Sequence, residues 1–208
     1  MRPKRMGASE RRHSSVTLLA RAALLGVTLA LAGCGSSPIP TFDLSAPNGF
    51  SARGGGGGQL IIVAPTALAA LDTDKILVEP APGQITYLPE AQWSDRLPSL
   101  LQARTLQAFE NGSKLRRVAR PGDGVVGEYQ LNLDIRTFGV RITAGAPEAV
   151  VELSAKVIAL ASGKIAAAQV FSARVPVSAM NGSGVTAALD TASNKVLTDI
   201  VIWSSSRF

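Results

Sequence analysis

Cys34 carries the only thiol in the chain, and it directly follows Leu31-Ala32-Gly33. A thiolate is a side-chain nucleophile well suited to take up an alkyl group and hold it as a thioether. The small residues before it suit the narrow groove of a peptidase, and cleavage there frees a new amino group on Cys34 itself. The only histidine, His13, lies upstream of that bond. A chain cut before Cys34 and alkylated on it has neither an imidazole nor a free thiol. That excludes a His-assisted serine nucleophile, a Cys–His pair, thiolate or imidazole metal sites, and disulfides. Other pairings have simpler explanations. Asp72 and Asp74 have the residue types for acid–base work, but they flank an expected short strand, where solvated charge is the ordinary role. Ser162 and Lys164 have the residue types of a dyad, yet Gly163 between them marks a hairpin turn. No enzymatic activity and no cofactor beyond a covalent lipid are expected.

The residues before Cys34 account for its setting. A basic stretch leads into an apolar run from Ala22 to Ala32, of signal-peptide length and too short to span a bilayer comfortably. The ending Leu31-Ala32-Gly33-Cys34 resembles the lipobox of bacterial lipoproteins. Residues 1–33 are therefore expected to be a removed signal peptide, with Cys34 bearing diacylglycerol and a further acyl chain such as palmitate. Several chains matter, because one alone binds a membrane only marginally. The next residue is Gly35 rather than Asp, which under the proteobacterial sorting rule favours the periplasmic face of the outer membrane. The charge pattern agrees. The net charge is +6, but residues 1–33 hold six of the basic residues and one acid, leaving fifteen basic and fourteen acidic residues beyond them. A nearly neutral body has no field suited to a phosphate backbone, so nucleic acid is not an expected partner.

Residues 34–58, with Pro38, Pro40, Pro47 and the run Gly54 to Gly58, read as a lipidated Gly/Pro-rich tether reaching roughly 25 to 30 Å. The glycine run lacks the preceding strand and the following Gly-Lys-Ser/Thr of a phosphate loop. The folded domain is expected over 59–208. Strands are predicted at Gln59–Pro65, Lys75–Glu79 and Gln84–Leu88, the last two joined by a Pro82-Gly83 turn. A helix is predicted from Ser94, as N-cap, to about Glu110, ended by Asn111-Gly112. Its apolar face is Leu97, Leu100, Leu101 and Ala108, with Leu106 and Phe109 pointing elsewhere. A short strand is expected at Lys114–Ala119. Tyr129, Leu131, Leu133 and Ile135 alternate with polar residues, and the parity then shifts to Phe138, Val140 and Ile142, which predicts a bulge near Arg136–Thr137. Strands around Val151–Val157 and Ile165–Val175, joined by Ser162-Gly163-Lys164, complete an antiparallel meander. A final helix over Ser183–Trp203 has one stripe of Val185, Leu189, Ala192, Val196, Ile200 and Trp203. The expected class is α+β: one mostly antiparallel sheet with two helices packed on one face.

Several stretches together resemble a known family. They are Phe42-Asp43-Leu44, Leu60 to Pro65, Leu71-Asp72, Lys75 to Val78, Tyr87, and Trp93-Ser94-Asp95-Arg96-Leu97. Over roughly residues 31–203 the chain resembles the ABC-type transport auxiliary lipoproteins, the family of the paraquat-inducible protein C lipoprotein. It departs at Thr73, where the family tends to have Arg, and at Ala69, in a stretch where Pro is usual. The resemblance implies a periplasmic partner of a transporter, in which an ABC ATPase and permease work with a mammalian-cell-entry-domain shuttle protein to move lipids or other hydrophobic molecules between membranes. A homo-oligomer would suit such a partner. Trp93 is a candidate contact residue or, alternatively, packs on the first helix. Tyr87 is either contact or core, and Trp203 is core. The basic run Lys114, Arg116, Arg117 and Arg120 suits anionic headgroups, an acidic partner, or a solvated edge strand. A lipopolysaccharide-assembly or pilotin-like lipoprotein is the alternative.

Overall fold

The computed structural model describes residues 38–52, 58–113 and 117–207. The signal segment, the lipobox residues Leu31, Ala32 and Gly33, and Cys34 lie outside the described residues, as do Gly54 to Gly57, Lys114 and Arg116. In chain order the described elements are β1 (Thr41–Phe42), β2 (Leu60–Ile62), β3 (Thr66–Ala67), β4 (Lys75–Ala81), β5 (Gln84–Trp93), α1 (Leu97–Gly112), β6 (Val118–Ala119), β7 (Tyr129–Thr143), β8 (Ala146–Ala159), β9 (Lys164–Pro176) and α2 (Gly182–Ser204).

Period-two alternation along β7 and β8 produces the centre of the sheet. The two strands pair antiparallel from Tyr129↔Ala159 to Thr143↔Ala146, with one register step between Ile135 and Thr137. That step leaves Arg136 unopposed, which is the bulge the parity shift predicts, and it lets Ile135 and Phe138 point to one face. Strand β9 continues the meander antiparallel to β8. The other flank of β7 is parallel: β2, β3 and β4 line up along it in turn. The class is α+β as expected, but the sheet is mixed. Alternation shows which face a strand buries, not which neighbour it takes, and parallel pairing needs long crossovers that leave no local mark.

The buried face of the meander joins Leu131, Leu133, Ile135, Phe138 and Val140 to Val151, Leu153, Ala155 and Val157, and then to Phe171 and Ala173. The α2 stripe of Val185, Leu189, Ala192, Val196 and Ile200 is fully buried, and α2 lies against β8, β9 and α1. Trp203 closes the stripe edge-on to Phe171, with ring centroids 5.4 Å apart. Asn181 caps α2 by accepting from the Gly184 N–H at 2.8 Å.

Four expectations need correction. First, the domain does not begin at Gln59. Residues 39–52 belong to the fold: β1 pairs parallel with β5, Leu44 and Ala52 are core residues, and the folded unit starts at Ile39. Second, Ser94 is not the cap of α1. The helix begins three residues later, after Arg96 and with no side-chain cap. Pro98 sits in the first turn, where its missing N–H costs nothing, and the Leu97 N–H is satisfied by the Thr73 carbonyl at 3.0 Å. Third, Phe109 is fully buried. The inner face of α1 runs Leu97, Leu101, Thr105, Ala108, Phe109, and it passes through Thr105, whose hydroxyl is spent on the Leu101 carbonyl at 2.7 Å. Fourth, β5 continues past Leu88 to Trp93 through Glu90, whose φ of 53° makes a local kink.

Candidate functional site

Three of the stretches that carry the family resemblance, around Phe42, Asp72 and Trp93, meet at one corner of the sheet. Phe42 lies beside Trp93 in the β1–β5 pair, and the Phe42 carbonyl accepts from the Ser94 N–H at 2.7 Å. The Trp93 N–H donates to the Asp74 carbonyl at 2.7 Å. Arg96 forms an ion pair with Asp72. The Thr73 hydroxyl donates to Asp74 Oδ1 and accepts from the Lys75 N–H. Thr41, Asp72, Asp74, Gln92, Asp95 and Arg96 surround an open polar cleft of about 450 Å³ here. The aromatic-x-Leu, Leu-Asp and Trp-opening motifs are therefore one structural joint, fastened largely through backbone groups.

Trp93 is 2 % exposed and packs edge-on to Phe138, centroids 6.0 Å apart. The ring meets the sheet at Phe138 and belongs to the end of β5. Tyr87 is half-buried, donates its hydroxyl to the Ala70 carbonyl at 3.2 Å and has Lys75 Nζ 5.3 Å from its ring centre. Its acceptor residue Ala70 lines an apolar hollow edged by Leu68 and Ile85, which are 76 % and 56 % exposed. Of the basic run, Arg117 and Arg120 are exposed, and the Arg120 N–H is held by Asp123. Lys114 and Arg116 lie outside the described residues.

Downstream of β1 the chain runs as a strap over both helices. Asp43 pairs with Arg104 of α1 at 2.6 Å. The Ser45 N–H and hydroxyl both donate to Asp190 of α2 at 2.7 Å, and Asn194 Nδ2 donates to the Ser45 oxygen at 2.7 Å. Asn111 Nδ2 donates to the Pro47 carbonyl at 3.1 Å, and the Ala52 N–H donates to the Gly112 carbonyl at 2.7 Å. Two aromatic rings fix the strap by lying on glycines. A Cβ on Gly112 would fall 2.0 Å from the Phe50 ring, and one on Gly182 would fall 2.7 Å from the Phe42 ring. Sequence reasoning missed Arg104, Asp190 and Asn194. The one available signal was Asp43 inside the Phe-Asp-Leu motif, an acid with no local partner.

Burial pushes the Asp43 carboxyl up, but the Arg104 hydrogen bond and charge, with the Leu44 N–H and the Ser94 hydroxyl, outweigh it and hold it below its ordinary value of 3.8. Glu79 is held low by Arg141 first and by the Gly83 N–H second. Groups depressed in the folded state add stability above their unfolded values and lose it as pH falls through the folded ones. The strap is therefore expected to loosen below about pH 4. Amide protection factors over residues 41–52, corrected for the slower intrinsic exchange in acid, should fall from pH 6 to pH 3 more than those in β8, and Asp43→Asn should flatten that difference. The contribution is small because Asp43 is 54 % exposed.

Among the described residues no helix is long and apolar enough to cross a membrane. The family model for the ABC-type transport auxiliary lipoprotein component matches residues 42–201. The chain belongs to this family. The match begins at Phe42, so the family domain includes the strap. An uncharacterized protein of Bradyrhizobium diazoefficiens is 30 % identical over 168 residues, which cover 79 % of this chain and 44 % of that protein. The chain thus spans less than half the length of that curated relative. The crystal structure of protein XCC0632 from Xanthomonas campestris, of the DUF330 family, superposes with a TM-score of 0.71 at 27 % identity, covering 81 % of this chain and 94 % of that one. A second crystal structure, of an uncharacterized protein, gives a TM-score of 0.63 at 10 % identity over 79 % of this chain and 97 % of that one, which bears on the fold alone.

Proposed function

We propose that the chain is anchored by lipid on Cys34 at the periplasmic face of the outer membrane. There it serves an ABC-type system in which a mammalian-cell-entry-domain protein carries lipids or other hydrophobic molecules between membranes. The observation that carries this reading is the short interval between the Leu31-Ala32-Gly33-Cys34 lipobox and a domain of the transport auxiliary family that begins at Phe42. Seven positions separate Cys34 from Thr41, so the chain from the acylated residue to β1 extends at most about 25 Å. The domain is then held near the bilayer, and the strap takes the place of a loose tether. Gly35 supports the outer membrane over the inner. The chain contributes location and a docking body, while the permease and its ATPase contribute the work.

The test is crosslinking in the native host followed by purification through this chain. Recovery of a mammalian-cell-entry-domain protein together with its permease is the expected result. Recovery of a lipopolysaccharide-assembly barrel or a secretion pore in its place overturns the reading and favours the assembly alternatives.

A further inference from the structure

We infer that the free edge of β9 is a docking site for an extended segment of another protein, with small or β-branched residues in its middle and carboxylates at its ends. Among the described residues β9 pairs only with β8, whereas the far side of the sheet ends in the two-residue strands β1 and β6 and in the part of β5 that β1 leaves uncovered, which Pro89 and the positive φ of Glu90 interrupt. Natural sheets protect their edges with short strands, charge, proline or bulges. Strands β1 and β6 are short. Strand β9 is 13 residues long. The nine residues between Lys164 and Arg174 include no charge and no proline. Its one register step falls near the Lys164 end.

The backbone phase shows what this edge offers. The Val177 N–H donates to the Pro147 carbonyl at 3.0 Å. In an antiparallel ladder the N–H groups point alternately toward and away from the partner strand. From that starting point, the N–H groups of Ala168, Val170, Ser172 and Arg174 point away from β8. Pro176 falls in the same outward series, where proline is tolerated. Ala168, Val170 and Ser172 are exposed while Phe171 and Ala173 are buried on the inner face. The edge thus presents a row of outward amides flanked by small side chains that leave room for an added strand.

A second copy of this chain fits the edge less well. Among the described residues the other long free edge is that of β5 from Gln84 to Ala91, which Pro89 and the kink at Glu90 interrupt, so a second copy would offer β9 its own β9. Two β9 strands paired antiparallel bring Lys164 and Arg174 of both copies together with no acid from either strand, and like charges across a sheet are destabilising. Lys164 has no ion pair among the described residues, and Arg174 reaches Glu148 only at 3.4 Å. Two cations bracketing a neutral stretch match a strand with an acid at each end. The inference stands on the sheet alone, independent of anchor and cargo.

The test uses the full chain in detergent micelles with two labelled peptides of alternating Val and Thr, spanning the Lys164–Arg174 interval. One ends in Asp on both sides, the other in Lys. The Asp-ended peptide should bind about fivefold more tightly and slow amide exchange at Ala168, Val170 and Ser172. Lys164→Glu should narrow or reverse the preference. Ser172→Pro should abolish binding and leave the thermal melt unchanged, because that N–H is not used in the β8 ladder. Equal binding of both peptides, or no binding by the folded chain, overturns the proposal. So does sedimentation showing self-association that Ser172→Pro abolishes, since a second copy would then cover the edge.

Discussion

Replacing Cys34 with alanine should abolish incorporation of a labelled acyl precursor and leave the chain uncut before residue 34. This is the largest effect expected of any single change. Each buried methylene contributes about 0.8 kcal/mol, so losing two or more acyl chains removes membrane affinity on the order of 10 kcal/mol or more. The uncut precursor could still reach a membrane through its own apolar segment at Ala22–Ala32, so acyl incorporation and the mass of the N-terminus are the readouts, not pelleting alone. A native protein carrying a free Cys34 thiol with residues 1–33 attached would remove both the anchor and the outer-membrane placement.

Trp93→Ala should be the most destabilising change within the described domain. The side chain is fully buried against Phe138, and truncating such a residue costs about 3–5 kcal/mol through lost burial and a residual cavity. For a domain of this size the midpoint of thermal unfolding should fall by about 10 °C. Trp93→Phe, which keeps an aromatic edge on Phe138, should lose less than half as much. Calorimetry of the two variants checks the order. Partner capture measured well below the lowered midpoint separates packing from contact: a folded Trp93→Ala protein should still capture its partner. Loss of capture by the folded variant would restore Trp93 as a contact.

Features written in local periodicity were legible from the chain alone. The α2 stripe, the three-strand meander and the bulge at Arg136 each follow from alternation or from 3.6-residue spacing. Features that depend on distant partners were not. Residues 38–52 contain three prolines and few large apolar residues, so they read as a tether. Their backbone and polar groups are satisfied by Gly112, Asn111 and Asp190, far along the chain. Phe109 was lost because Thr105 interrupts the apolar stripe of α1, and only the structure shows its hydroxyl returned to the helix. The β5 strand was cut short at Pro89-Glu90, where a proline and a positive φ mimic its end. The joint of Phe42, Asp72 and Trp93 was visible as a set of motifs, but their meeting at one corner requires the parallel β1–β5 pairing, which no local pattern encodes.

The strap also sets how the domain bears mechanical load. Any pull applied upstream of Pro40 enters through β1, whose two residues lie parallel to β5. It is then shared by Asp43 with α1 and by Ser45 with α2. Tension is thus divided between the sheet and both helices before it reaches Ala52 in the interior. A pull there should therefore peel the two-residue β1 from β5 before it parts the long β7–β8–β9 ladders.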